Sequence, residues 1–233
     1  MHFDFASFAV WFLAFLFSTT CHEAAHAWAA YKGGDTTAYE GGQVTLDPLP
    51  HIRREPFGML LAPLLSYYWW GWMMGWASAP YDPNWGRRHP RRWALMALAG
   101  PMANLALAVI AFVAIKVLLG MGIFQVPSHF DLFSNLVEPA GEVAARSPLR
   151  AISMLLSVML SLNVMLTLFN LMPVLPLDGA SVLQGLFPNS LGKLYDSMRG
   201  TPMIELLGLL IAWNLFPHLS RPAFQILLRL VYG

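Results

Sequence analysis

The chain has 233 residues, of which 57% are hydrophobic and 12% charged, with a formal net charge of +1 and a mean hydropathy of +0.52. Soluble domains carry about 25% charged residues, so this composition excludes an ordinary soluble fold, and the near-zero net charge gives no case for nucleic-acid binding. Nine Trp, seven Tyr and fifteen Phe are what membrane interfaces recruit, and a single cysteine, Cys21, excludes an intramolecular disulfide.

The first element is an apolar stretch over about 5–28. Asp4 is the one charge in the run from Phe3 to Thr20, and the stretch ends in His22-Glu23-Ala24-Ala25-His26. No small-x-small cleavage site separates the run from those polar residues, so it reads as a retained helix and not a signal peptide. On a helix, H-E-x-x-H sets two imidazoles at i and i+4 on one face, where both can bind one Zn²⁺ while the glutamate polarises a water. A metal-binding group in such a segment is costly, so it is read as functional. The expectation is a zinc hydrolase with its site inside the bilayer.

Residues 39–47 follow a turn at Gly33-Gly34 and read as a short β-element, placed at the interface or lining a cavity because open strand edges are not tolerated against lipid. The segment 57–78 is long enough to span. It holds Pro63, three glycines and a cluster of Trp and Tyr, and arginines flank both ends: Arg53 and Arg54 before, Arg87, Arg88, Arg91 and Arg92 after. Positive loops face the cytoplasm, which puts both ends on one side and predicts a re-entrant or interfacial hairpin.

Spans follow at about 93–119, 151–170 and 202–217 with its flanks, each long enough for the ~20 apolar residues that a bilayer requires. The intervening 120–150 loop is mildly acidic, with Asp131, Glu138 and Glu142 against Arg146 and Arg150, and is expected outside; 221–232 reads as a short amphipathic tail. The fold class is therefore an all-α polytopic membrane protein with about four transmembrane helices, one hairpin and a short membrane-associated β-element.

A catalytic zinc takes three protein ligands and keeps one position open. Acidic candidates for the third are few. Asp4 is at the far end of the first helix, whereas Asp178 follows the 151–170 span on the side where His22 and His26 also end. Pro173, Pro176 and Gly179 break the helix around it, and irregular backbone at that depth is expected only where it faces protein or a water-filled cavity.

Three motifs occur in order: HEAAH, Gly100-Pro101-Met102-Ala103-Asn104, and Asn170-x-x-Pro173-x-x-x-x-Asp178-Gly179, with the aspartate eight residues after the asparagine. Together they resemble the core of the site-2 protease family of intramembrane zinc metalloproteases, and Gly-Gly-Gln-Val-Thr-Leu-Asp-Pro resembles that family's membrane-associated β-region. The chain departs from larger members in lacking room for a PDZ or CBS domain. The resemblance implies one zinc held by His22, His26 and Asp178. It makes Glu23 the general base and assigns Asn170 to positioning the scissile carbonyl or stabilising the oxyanion. Asn104 is expected to tie helices together while Gly100 allows close approach. Residues 1–233 then form a single domain, a catalytic core of about 5–187 followed by C-terminal helices over about 202–232. The substrate would be a membrane protein cut within or beside its transmembrane segment. Lipid is the other partner, nucleic acid is not one, and oligomeric state stays open. The setting would be a prokaryotic plasma membrane with the site towards the cytoplasm. Rival readings are a CAAX-processing type of membrane zincin, which takes a glutamate as third ligand, and a catalytically silent scaffold of the same fold.

Overall fold

In a computed structural model of the chain, residues 4–141 and 147–233 are described. Glu142 and Arg146, part of the acidic-loop reading, lie outside the described residues. The helices are α1 (Phe5–Gly33), α2 (Thr37–Glu40), α3 (Pro48–Arg54), α4 (Ala62–Trp70, preceded by a wide π-type turn at Phe57–Leu61), α5 (Pro83–Arg88), α6 (Pro90–Gly120), α7 (Leu149–Asn170), α8 (Asp178–Leu186), α9 (Lys193–Met198) and α10 (Pro202–Tyr232). Among the described residues, α1, α6, α7 and α10 are long and apolar enough to cross a membrane. These are the four expected spans. An all-α polytopic membrane protein is what the chain forms.

α1 starts where Asp4 Oδ1 accepts the Ala6 N–H and stops where Gly34 turns left-handed at φ 96°. It packs against α6 and α7, burying Trp11, Ala14 and Phe15 with Val158 and Leu162. α6 carries Pro90 in its first turn and Pro101 in its interior. α7 lies against both, and its Ser157 and Ser161 hydroxyls hold the backbone of the preceding loop at Leu136 N (3.0 Å) and Leu132 O (2.6 Å).

The 57–78 segment leaves and returns at one place. Its outgoing arm is the wide turn plus α4, Gly71 reverses it at φ 75°, and the return arm is extended. The arms meet backbone to backbone: Trp76 N donates to Gly58 O at 3.2 Å, and a Cβ on Gly58 would lie 2.1 Å from Trp76 O. Ser66 Oγ accepts Met74 N at 2.8 Å, and Ser78 Oγ donates to Glu55 Oε1 at 2.6 Å to close the base. The tip rests on the start of α1, with Tyr67 edge-on to Phe8 at 5.4 Å. The hairpin expected from the flanking arginines is therefore present.

Two expectations are corrected. Residues 39–47 form no strand: α2 ends in a glycine turn where Gln43 N bonds Ala38 O, and Thr45 and Asp47 cap the backbone that follows. With those groups satisfied locally and no strand paired with them among the described residues, the ladder forms elsewhere, as a two-residue antiparallel pairing of Phe124–Gln125 with Glu138–Pro139. The tail at 221–232 is not separate either. α10 runs continuously through Pro217 and Pro222, because Gly208, Ala212, Phe216, Phe224 and Val231 are buried along its length. Its end is pinned by Lys116 Nζ on Val231 O (3.1 Å) and Tyr232 Oη on Leu136 O (2.6 Å).

Candidate metal centre

One turn of α1 brings the rings of His22 and His26 to 4.6 Å between centroids, with their Nε2 atoms 2.9 Å apart. Asp178, the first residue of α8, completes the group. Its Oδ2 lies 3.2 Å from His22 Nε2 and 3.3 Å from His26 Nε2. The loop from Leu171 to Leu177 sets that position. Leu177 N bonds Val174 O at 2.9 Å, Tyr195 Oη fastens Pro173 O at 2.7 Å, and a Cβ on Gly179 would meet Leu171 O at 2.3 Å. Only glycine lets the start of α8 lie so close on that loop. α8 is in turn pressed onto α6 at Gly185, where a Cβ would lie 2.2 Å from Pro90 O.

The outer nitrogens of both rings are engaged. His26 Nδ1 faces the Met96 carbonyl at 2.7 Å, and His22 Nδ1 faces Asn104 Oδ1 at 2.5 Å. Both partners are acceptors, so in the neutral rings Nδ1 carries the proton and each Nε2 presents a lone pair. Two lone pairs and a carboxylate oxygen, all within 4.8 Å of one another, converge on one point, and Asp178 Oδ2 is buried without a hydrogen-bond donor. Such a set is mutually repulsive unless a cation sits among it. Imidazole–imidazole–carboxylate with a remaining open position suits Zn²⁺.

The expected metal ligands His22, His26 and Asp178 are thus brought together. Glu23 is buried, at 5% exposure, in the same turn of α1, and its carboxylate has no hydrogen-bond partner among the described residues. Asn170 ends α7, half-buried, with its Nδ2 on Leu166 O at 3.0 Å. Asp4 only caps the far end of α1, and Cys21 is half-buried. Two contributions go beyond the sequence reading. Asn104 does more than join helices, since its Oδ1 also meets the His22 ring. Gly100 clears space for the site itself, because a Cβ there would lie 2.3 Å from His26 Nε2 and 2.6 Å from His22 Nε2. Asparagine in an apolar span is the one sequence signal that marks the first; nothing local marks the second.

Residues 10–213 match the family model described as Peptidase family M50. The chain belongs to peptidase family M50, the site-2 protease family. It is also 31% identical over 177 residues to the Bacillus subtilis (strain 168) protein named "Putative zinc metalloprotease YwhC", covering 76% of this chain and 68% of that one. No solved structure matches it. The resemblance carried by HEAAH, Gly100 to Asn104 and Asn170 to Gly179 is borne out. This M50 member is a membrane zinc metalloprotease, and the cluster at the α1–α8 junction has the donor chemistry for its metal.

Proposed function

We propose that the protein is an intramembrane endopeptidase, hydrolysing peptide bonds within or next to a transmembrane segment of another membrane protein. The depth of the site carries this reading: His22 lies about 26 Å along α1 from Phe5, at 1.5 Å rise per residue, inside a helix apolar enough to span. A substrate reaching it has to present its peptide bond at that depth.

His22, His26 and Asp178 would hold the zinc, which when bound supplies a Lewis acid that polarises the scissile carbonyl and acidifies water. Glu23 takes the proton from the attacking water and passes it to the nitrogen of the departing strand. That its carboxylate has no hydrogen-bond partner among the described residues supports that role. Asn170, at the mouth of the loop leading to Asp178, orients the carbonyl or stabilises its developing negative charge. Water enters on the Asp178 side, where the side chain is 21% exposed against 9% and 7% for the two histidines.

The site faces the cytoplasmic side of a prokaryotic plasma membrane. Arg92 Nη1 and Trp85 Nε1 both bond Gly33 O at 3.1 Å, which ties the arginine-rich 87–92 segment to the end of α1 nearest the metal ligands. The test is cleavage of a single-span substrate by zinc-loaded protein in liposomes. Cleavage inside or beside the span, lost in Glu23→Gln, is expected. Cutting only of soluble peptides, or full turnover by Glu23→Gln, would overturn the reading.

A further inference from the structure

We propose that Asn163 is a positioning residue for the metal centre: acting through Asn104, it sets the tautomer of His22 and so turns that ring's Nε2 lone pair towards the metal. The inference rests on the reading of His22 as a zinc ligand, and concerns a residue that touches neither metal nor substrate.

Asn104, Asn163 and Ser18, from α6, α7 and α1, are each completely buried. Asn104 Nδ2 donates to Ser18 O (3.2 Å) and to Asn163 Oδ1 (2.8 Å), which uses both protons of that amide. Asn163 Nδ2 donates to Met159 O (2.8 Å) and to Ser18 Oγ (2.9 Å), which uses both of its own. The remaining oxygen of Asn104 meets His22 Nδ1.

An amide can be rotated by half a turn with little change of shape, so something has to choose its orientation. Here the choice runs along a chain of acceptors. The Met159 carbonyl can only accept, so Asn163 turns its NH2 towards it and its oxygen towards Asn104. With that oxygen and the Ser18 carbonyl in front of it, Asn104 turns its NH2 towards them and its oxygen towards His22. His22 then carries its proton on Nδ1. Rotating Asn104 the other way would set its oxygen against two acceptors in a completely buried position, and would offer N–H groups to His22 Nδ1. That arrangement places the ring proton on Nε2, where it blocks metal binding. Asn163 supplies the shorter of the two contacts that exclude it.

The test is zinc affinity, by competition with a chromophoric chelator on the folded, detergent-purified full chain. It compares native protein with Asn163→Leu, which has the same heavy-atom branching and no acceptor, and Asn163→Asp, which keeps the acceptor for Asn104 but gives up both donors. Asn163→Leu is expected to bind zinc about tenfold or more weakly, in the range found for partners of ligating histidines. Asn163→Asp should stay near the native affinity although it is the less stable protein in chelator, since it buries an unpaired carboxylate. A merely structural role would rank the two by stability instead, and that ranking, or native zinc affinity in Asn163→Leu, would overturn the proposal. If Asn163→Leu does not fold, the zinc-free native chain decides: ¹⁵N spectra of labelled histidine should show His22 protonated on Nδ1, and protonation on Nε2 would overturn it. A His22→Ala control separates the two readings. Retained zinc there removes His22 as a ligand and the proposal with it, whereas lost zinc there with unchanged Asn163→Leu removes the proposal alone.

Discussion

Gly100 lies so close to His26 that one added carbon would sit 2.3 Å from its Nε2. Space between α6 and α1 is thus part of the candidate metal centre as much as His22, His26 and Asp178 are. Gly100→Ala should bind zinc at least a hundredfold more weakly or not at all, while the helix persists, because alanine is favoured over glycine in a helix interior by about 1 kcal/mol. Zinc content beside far-ultraviolet circular dichroism checks this. Native zinc binding in Gly100→Ala would mean that the two helices part more readily than their packing implies.

Metal removal should lower the stability of the native chain and leave an Asp178 variant unmoved. At free zinc a hundredfold above its dissociation constant, binding contributes about 2.7 kcal/mol to the folded state. Chelator should therefore depress the thermal midpoint of native protein in detergent. Asp178→Ala should show about one zinc fewer per chain and no response to chelator. An equal response in both would place the third ligand elsewhere.

The two groups that do not hold metal should separate from those that do. Glu23→Gln is expected to keep native zinc and lose about 10²–10⁴ in turnover, the usual contribution of a general base. Asn170→Ala should likewise keep zinc and lose about 10²–10³, the cost of one donor to a developing oxyanion. Turnover of the single-span substrate and zinc content, measured on the same preparations, decide both. An Asn170→Ala enzyme with native turnover would leave that residue as a helix-end cap.

The hairpin makes a topological prediction. In a Cys21→Ser background, cysteines at Thr36 and Asn84 should react with a membrane-impermeant maleimide from one face of sealed vesicles, and a cysteine at Ser128 from the other. All three positions are exposed, and the two arms of the hairpin meet where Trp76 bonds Gly58. Labelling of Thr36 and Asn84 from opposite faces would show that 57–78 crosses the bilayer.

What the sequence determined by itself is what depends on near neighbours along the chain. Four apolar runs of sufficient length became α1, α6, α7 and α10, since hydrogen bonding every backbone group inside lipid leaves a helix as the local solution. His22 and His26 share a face because i and i+4 always do, and charge flanking both ends of 57–78 was enough to bring them to one side. Asp178 could be matched to the histidines by counting crossings. The tertiary structure decided whatever depends on groups brought from afar. Val44 and its neighbours pair with no strand among the described residues, and turn chemistry at Gly41, Gly42 and Asp47 prevailed over their β-like pattern. Pro217 and Pro222 did not end α10: residues buried on both sides of them, Ala212 and Phe216 before and Phe224 and Val231 after, anchor the helix despite two missing backbone donors. The acceptor for His22 comes from Asn104, 82 positions away, and the acceptor for Asn104 from Asn163 on a third helix. No local periodicity records such partners: a buried amide is satisfied by whichever group the packing of distant helices places within about 3 Å of it.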